Sequence, residues 1–323
     1  MKEIDVIGHD PGYGDIKNSF RDESGKIVNF KYSSLVAEAP STAIDMPIFE
    51  KVRYFTGEDA LMRSSSDIIE ITEYLYLEKF QPIFVWKSLK DHNINKDRLK
   101  YIVSGLSFSQ MSKGRDFKKR ISKFRVNNEL FDFKDRVLIV PQAASAKYAI
   151  DHFYPDGPST YLVVDIGQST IDVADIVNGQ VRPENVHGYK DEGIIRIGRN
   201  IQDLIAERFK EHVSLKEVKE ILETKVYFLE GKEHDLSQEV AEFSRRYTEI
   251  TINTLKSRFQ REFKKYRKIY FVGGGAHYID LSADTSGIIE VLPNPEYYNS
   301  IGNLLRGEQE IRRLKKEAKK DQI

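Results

Sequence analysis

The chain has 323 residues, of which 40% are hydrophobic, 31% are charged and none is cysteine. This length is enough for two domains with packed cores, and the lack of cysteine excludes disulfides and thiolate metal sites. The formal net charge is zero, so no overall field draws the chain to nucleic acid or to anionic lipid. Because no apolar run reaches the length of a membrane span and residues 1–5 lack the apolar core of a signal peptide, we expect a cytoplasmic protein.

The N-terminal part of the chain predicts three consecutive strands. Residues 4–10 form an apolar strand, a glycine-containing loop follows, and apolar residues alternate again near 14–20. Residues 22–25 have the composition of a turn, and residues 26–34 predict the third strand. This order is typical of a three-stranded meander.

The middle of the chain mixes helical and strand patterns. Residues 57–80 predict helical structure, residues 137–140 a short apolar strand, and residues 142–153 an alanine-rich helix. Two prolines and a glycine in residues 155–158 then break the chain, which indicates a hinge or a domain boundary.

A second meander follows that break. Residues 160–165 predict an apolar strand, and residues 170–177 alternate in the manner of a strand. Asn178 and Gly179 are a signal for a type I′ hairpin turn, after which residues 180–186 return as the third strand.

The remainder of the chain is mostly helical. Residues 193–211, 214–228 and 236–266 each carry helical spacing. Residues 269–272 predict a buried strand that runs directly into three glycines, and a final helix is expected from about Tyr297.

The two meanders share one loop pattern at an offset of 155 residues. Each apolar strand ends in an aspartate, a spacer and a glycine before the chain returns. The matched pairs are Asp10 with Asp165, Gly12 with Gly167, and Ile16 with Ile171. Matching loops within matching three-stranded units predict a duplicated domain rather than chance similarity.

The first loop has the chemistry of a phosphate cradle. Gly12 and Gly14 let the backbone turn closely, so that N–H groups can point into one space. Lys17 can reach a phosphate as a point charge, and Asp10 can hold a hydrated magnesium ion. Taken alone, the same residues also fit an ordinary Asp-Pro-Gly turn.

The second loop strengthens the case for a cleft that holds a triphosphate from both sides. Asp165 ends an apolar run in which packing does not require a carboxylate. Residues that offer backbone or hydroxyl donors to a terminal phosphate follow it: Gly167, Gln168, Ser169 and Thr170. Asp172 is predicted to point back toward the cleft or to cap the loop. A tight hairpin without a ligand is the alternative.

Two further segments carry weaker signals. Residues 273–276 place three glycines at the end of a strand, where a flat ring system can lie against the backbone, although a flexible turn has the same composition. Gln142 stands at the predicted start of a helix, where its side chain can orient an attacking water or simply face solvent. Neither the G-x-x-x-x-G-K-[ST] nor the G-x-G-x-x-G phosphate motif occurs.

At these positions the chain resembles the actin and sugar-kinase superfamily of ATPases. The five cleft segments of that superfamily can be placed in order along the sequence, and they are residues 10–17, 141–146, 165–172, 273–276 and 299–302. Since the chain is too short for the heat-shock chaperones and for most sugar kinases, it looks most like bacterial actins of the ParM type, which segregate plasmids by polymerising.

The resemblance implies an α/β, actin-like fold in which two duplicated RNase H-like domains enclose a nucleotide cleft. Residues 1–146 with 297–323 would form domain I, and residues 147–296 would form domain II. The cofactors would be ATP or ADP with Mg²⁺, which Asp10 and Asp165 would position through water. Gln142 and Asp165 would be the catalytic residues. The nucleotide contacts would be Asp10, Gly12, Tyr13, Gly14, Lys17, Gly167, Gln168, Ser169, Thr170, Asp172, Gly273, Gly274, Gly275, Ala276 and Gly302.

The leading functional hypothesis is an ATPase that assembles into filaments to segregate plasmid DNA. Its partners would be further copies of itself and a DNA-binding adaptor protein on a plasmid centromere, with no membrane partner. Two alternatives remain open at this point: a small-molecule kinase with the same cleft, which would need a carboxylate base beside a substrate pocket, and a cytoskeletal actin-like filament without a role in partition.

Overall fold

The computed structural model describes residues 2–320, which form two five-stranded sheets, a smaller four-stranded sheet and two two-stranded hairpins, together with helices. In the first half of the chain the strands are β1 (Val6–Pro11), β2 (Asp15–Arg21), β3 (Ile27–Ser33), β4 (Val36–Glu38), β5 (Ile48–Phe49), β6 (Val52–Thr56), β7 (Ile68–Ile69), β8 (Tyr101–Leu106), β9 (Lys123–Val126), β10 (Glu129–Asp132) and β11 (Val137–Pro141). The helices of this half are α1 (Glu58–Leu61), α2 (Tyr74–Asp91), α3 (Gly114–Ser122) and α4 (Ala146–Phe153).

The second half repeats the mixture of strands and helices. Its strands are β12 (Tyr161–Ile166), β13 (Thr170–Val177), β14 (Gln180–Lys190), β15 (Val226–Leu229), β16 (Lys232–Asp235), β17 (Ile269–Val272) and β18 (Ile289–Val291). Its helices are α5 (Ile195–Phe209), α6 (Leu215–Thr224), α7 (Ser237–Arg258), α8 (Gln260–Phe263) and α9 (Tyr298–Lys320). Within residues 2–320, every helix is too short or too polar to cross a membrane.

The two large sheets have the same topology, which confirms the predicted duplication. Their strand orders are β11-β8-β1-β2-β3 and β18-β17-β12-β13-β14. In each sheet the first three strands in sequence pair antiparallel, and the next two add in parallel. The registers also agree, since Asp10 pairs with Lys17 in the first hairpin and Asp165 pairs with Asp172 in the second.

The last helix, α9, packs against the first sheet and against α4, although it follows the second sheet in sequence. Two glycines permit this close approach. A Cβ at Gly8 would lie 2.0 Å from the carbonyl oxygen of Ser300, and a Cβ at Gly302 would lie 1.9 Å from that of Ser145. Gly8 on β1 therefore allows α9 to pack closely against the first sheet. The assignment of residues 297–323 to domain I remains a prediction.

His9, the residue before Asp10 on β1, is buried in the first half. Its Nδ1 lies 2.7 Å from Oδ1 of Asn18 on β2, and its Nε2 lies 2.9 Å from Oε1 of Gln81 on α2. Burial lowers the pKa of His9, although both hydrogen bonds oppose that shift. The ring thus ties the first hairpin to α2, just before the aspartate of the first loop.

Three predicted helices differ from the observed ones. Residues 57–80 contain the short α1 and a 3₁₀ turn at Ser65–Asp67 before β7, which pairs with β4. Helix α2 begins at Tyr74 and continues through Pro82. The helix predicted over 142–153 begins at Ala146, because the four residues before it form a turn. The helix predicted over 214–228 ends at Thr224, where Lys225 adopts a left-handed conformation and the β-prone residues of β15 follow.

The hairpin turn between β13 and β14 is confirmed. Asn178 and Gly179 have φ angles of 51° and 73°, the positive values that a type I′ turn requires. The third strand of the second meander is longer than predicted, because β14 continues to Lys190 along β13. This extension brings residue 188 beside the inner end of β13.

Candidate functional site

A cleft between the two sheets contains most of the residues that the sequence identifies. It encloses about 1240 Å³ of space between its walls, part of it open to solvent. The predicted residues that line it are Asp10, Gly12, Tyr13, Gly14, Lys17, Gln142, Asp165, Gly167, Gln168, Thr170, Gly273, Gly274 and Gly275.

The two matched loops have the same internal hydrogen bond and face each other across this cleft. The Gly12 N–H donates to the carbonyl of Asp15 at 3.0 Å, and the Gly167 N–H donates to that of Thr170 at 2.8 Å. A Cβ at Gly14 would lie 2.3 Å from Oε1 of Gln168, so the loops are in contact at their tips. Backbone and side-chain donors from both halves therefore converge on one volume.

Each buried aspartate accepts a hydrogen bond from an amide side chain of a distant segment. Gln142 Nε2 donates to Asp10 Oδ1 at 2.7 Å, and Asn299 Nδ2 donates to Asp165 Oδ2 at 2.7 Å. Asp10 and Asp165 are only 3% and 5% exposed. Asn299 begins the fifth cleft segment placed from the sequence, but it was not among the predicted contacts, although its position 157 residues after Gln142 nearly repeats the offset of the loops.

The carboxylates in the cleft carry more negative charge than the nearby cations offset. Burial raises the pKa of Asp10, and Lys17 opposes that shift. Burial, Asp10 and Asp172 together raise the pKa of Asp165 to about 8. Such mutual repulsion marks a place where a bound cation would stabilise the ionised carboxylates.

A magnesium ion fits this donor set if water and phosphate complete its coordination. Among residues 2–320, no group of three or more acidic or histidine side chains lies close enough to hold a metal ion. Magnesium commonly uses one or two carboxylates and fills its other positions with water and substrate phosphates. Asp10 and Asp165, one from each wall, are the carboxylates in a position to serve it.

Four predicted nucleotide contacts lie outside the cleft lining. Gly302 contacts the turn before α4, as described above, and Ala276 is 1% exposed within the core of the second half. The Ser169 carbonyl accepts a bond from the Gly193 N–H at 3.4 Å, which places it at the entrance to α5. All three are buried or in contact with other parts of the protein, and their contact with a nucleotide stays a prediction.

Asp172 is the fourth of these residues, and its side chain contacts the first half of the chain. Its Oδ1 accepts hydrogen bonds from Ser107 Oγ at 2.9 Å and from the Phe108 N–H at 2.7 Å. Its Oδ2 accepts one from Thr170 Oγ1 at 3.2 Å. Burial raises its pKa to about 7, against these three hydrogen bonds. Asp172 therefore joins the two halves of the chain, and its contact with a nucleotide stays a prediction.

Among the three glycines at residues 273–275, Gly273 has a backbone conformation that requires glycine. Its φ is 86°, and a Cβ there would lie 2.2 Å from Asp165 Oδ1. Only glycine permits both the left-handed backbone and the approach of the carboxylate. Gly273 lines the cleft and adjoins one of the two aspartates, and contact of this segment with a flat ring system stays a prediction.

Ion pairs that sequence reasoning missed bridge the walls of the cleft. Lys219 on α6 lies 2.7 Å from Asp15 at the end of the first loop, and Lys31 on β3 lies 3.3 Å from Glu296. Burial would raise the pKa of Asp15, but Lys17 and Lys219 together hold it below its usual value. These pairs depend on contacts between distant segments, so no local pattern could have revealed them.

Comparisons with known proteins agree with this architecture. The sequence profile of the family described as archaeal actin homologue MreB-like, C-terminal, matches residues 163–283. No curated protein matches the chain significantly in sequence. A ParM of a 15-stranded filament from Clostridium botulinum has a TM-score of 0.76 and 17% identity, covering 96% of this chain and 100% of that one.

Two other solved structures have similar folds. The archaeal actin homologue Ta0583 has a TM-score of 0.76 and 16% identity, with coverage of 96% of this chain and 100% of that one. Bacillus thuringiensis ParM with ATP has a TM-score of 0.61 and 17% identity, with coverage of 96% and 99%. Identities this low show the fold alone. The chain therefore has the fold of the actin superfamily, ParM-like in its architecture, and its second half matches the MreB-like family of archaeal actin homologues.

Proposed function

We propose that the protein binds ATP with Mg²⁺ in the cleft, hydrolyses it, and polymerises into filaments that segregate plasmid DNA. The observation that carries the proposal is the convergence of two equivalent loops, each with a buried aspartate, on one volume. Solved structures of the same fold include a ParM filament, Bacillus thuringiensis ParM with ATP, and Ta0583 in complex with ADP. These neighbours support a nucleotide as the ligand and self-association as the outcome.

The proposed mechanism is in-line attack of water on the terminal phosphate. Lys17 and the N–H groups of the two loops would hold the phosphates, and Asp10 and Asp165 would hold hydrated magnesium. Magnesium would supply charge that offsets the negative phosphate oxygens. Gln142 uses its amide nitrogen to bind Asp10, and its carbonyl oxygen is proposed to accept a hydrogen bond from the attacking water.

A filament without a role in DNA partition is the second candidate. The family profile that matches residues 163–283 is that of archaeal actin homologues, and the TM-score of Ta0583 equals that of the Clostridium botulinum ParM, 0.76. These similarities favour an archaeal-type actin homologue as strongly as the ParM structures favour a ParM. The two functions share the ATPase cycle and differ in the partner. A gene for a small DNA-binding adaptor next to the coding sequence, and recruitment of that adaptor to the filament, would separate them.

The test combines sedimentation with release of inorganic phosphate. We expect purified protein to pellet at high speed with ATP and Mg²⁺, and to release phosphate as it does so. Removal of Mg²⁺ with EDTA should abolish phosphate release. ATP consumption that requires an added sugar, without pelleting, would contradict the filament proposal and favour a kinase of the same superfamily.

A further inference from the structure

The contact between Asp172 and the first half of the chain crosses the cleft at its base. Asp172 lies on β13, whereas Ser107 and Phe108 follow β8 in the first sheet. Because one carboxylate receives both of their hydrogen bonds and also one from Thr170, it joins the second loop directly to the opposite wall. Charge-assisted hydrogen bonds in a buried site are among the stronger ones available to a protein.

The segment that Asp172 holds reaches the first loop as well. Residues Phe108–Lys113 form a 3₁₀ helix, and Gln110 within it donates its side-chain N–H to the hydroxyl of Tyr13. Tyr13 belongs to the first loop and lines the cleft. A continuous set of contacts therefore runs from one phosphate loop to the other without passing through the ligand volume. We call it the coupling chain, and its members are Tyr13, Gln110, Ser107, Asp172 and Thr170.

The residues of the coupling chain are tightly packed against β14. Gly188 on β14 pairs with Asp172, and a Cβ there would lie 2.6 Å from the backbone nitrogen of Ser109 and 3.0 Å from Ser107 Oγ. Tightly packed contacts switch between discrete arrangements instead of stretching. A movement of the second loop that shifts the side chain of Asp172 would therefore also move the segment after β8, to which Asp172 is hydrogen-bonded.

We propose that the coupling chain links the occupancy of the terminal-phosphate position to the relative position of the two halves. Asp172 acts in this scheme as a positioning residue between the loops, and not as a group that touches the nucleotide. The inference rests on the proposed function, since it requires a nucleotide in the cleft. It adds the means by which a triphosphate and a diphosphate produce different conformations.

The experiment measures the ratio of dissociation constants for ADP and a non-hydrolysable ATP analogue, with Mg²⁺, at protein concentrations below assembly. Asp172→Ala and Gln110→Leu each break the coupling chain at one place. We expect each substitution to reduce that ratio at least about fivefold toward one. Because both substitutions break the same pathway, the double variant should lose no more discrimination than the worse single variant.

Two matched variants distinguish coupling from simple loss of structure. Asp172→Asn keeps the oxygen that accepts from Ser107 and Phe108, so it should restore most of the discrimination. Asp175→Ala removes another fully buried carboxylate from the same strand, where Asn185 Nδ2 bonds it at 2.7 Å. We expect Asp175→Ala to lower thermal stability while it leaves the affinity ratio within about twofold of the parent.

Each remaining outcome counts against the inference. Additive effects of Asp172→Ala and Gln110→Leu on a logarithmic scale, or unchanged ratios in both, would overturn the coupling chain and leave nucleotide binding intact. Equal affinities of the parent for the two nucleotides would overturn it in the same way. Failure of the parent to bind either nucleotide would remove the proposed function, and the coupling chain with it.

Discussion

The hairpins β1–β2 and β12–β13 share a register and differ in the residue opposite the buried aspartate. Lys17 faces Asp10 in the first hairpin, whereas a second carboxylate, Asp172, faces Asp165 in the other. The backbone plan thus fixes where the loops meet, and the facing side chain decides the charge of each loop. The two hairpins therefore have the same backbone geometry but different charges, since only the first places a lysine opposite its aspartate.

The difference in charge appears in the acidity of the two aspartates. Burial raises the pKa of both, but Lys17 opposes the shift at Asp10, whereas Asp10 and Asp172 add to it at Asp165 and bring its pKa to about 8. The second hairpin therefore has the greater need of a bound cation. The first hairpin contributes a cation of its own to the phosphates.

The largest expected effect comes from removing either aspartate. Asp10→Ala and Asp165→Ala should each lower the rate of phosphate release by about 100-fold or more, because both are needed to position magnesium and the terminal phosphate. Asp45→Ala, in an exposed loop of the first half, is the matched control and should keep the parental rate. Parental turnover in either cleft variant would contradict the equivalence of the hairpins.

Removing the cation of the first hairpin should produce the next largest effect. Lys17→Gln is expected to weaken binding of the triphosphate about tenfold, which corresponds to a loss of about 1.4 kcal/mol. The diphosphate should be affected less, and the difference should shrink at high salt because screening weakens the charge. Titration calorimetry at two ionic strengths measures both quantities, and equal losses for the two nucleotides would show that Lys17 does not read the terminal phosphate.

A substitution at Gly8 tests the packing of α9 against the first hairpin through its effect on thermal stability. Gly8→Ala places a Cβ 2.0 Å from the Ser300 carbonyl, so α9 must move, at a cost of about 1–3 kcal/mol. The thermal midpoint should fall by several degrees in scanning calorimetry. Gly114→Ala, whose Cβ would meet nothing closer than 3.7 Å, should leave the midpoint unchanged or raise it. Equal midpoints for both variants would refute the packing role of Gly8.

A separate expected effect is a pH dependence of the ligand-free protein. Asp165 has a folded pKa of about 8, whereas an unperturbed aspartate has a pKa of 3.8, so between these values the folded protein holds a proton that the unfolded chain releases. Its stabilising contribution is full below the lower value and is lost as pH rises through the upper one. The parent should therefore lose stability relative to Asp165→Asn between pH 5 and pH 9. A constant difference between the two midpoints would show that Asp165 is ionised throughout.

The sequence predicted the parts of the fold that local patterns encode. The matched loops, the Asn178 turn and the strand before Gly273 depend on residues within a few positions of one another, and the structure has all of them. The start of the helix at Ala146 was not predictable, because the preceding turn is fixed by contacts of Gln142 with Asp10 and of Ala143 with Asn299. Those contacts join segments more than 100 residues apart.

The site residues likewise divide into those that local patterns reveal and those that only contacts between distant segments reveal. Asp10 and Asp165 could be found from their repeated loops, but nothing local distinguishes Asp172 as a contact between the halves. Its partners Ser107 and Phe108 lie in a segment that carries no motif. The ion pair of Lys219 with Asp15 was likewise hidden, because a charged residue on an amphipathic helix usually faces solvent.

The most direct measurement is a crystal structure of the protein with Mg²⁺ and a non-hydrolysable ATP analogue. The account predicts the terminal phosphates between the loops at residues 12–14 and 167–170, with the metal ion between Asp10 and Asp165. Phosphates bound by one loop only, or a nucleotide outside the cleft, would contradict the claim that the duplicated hairpins hold it jointly.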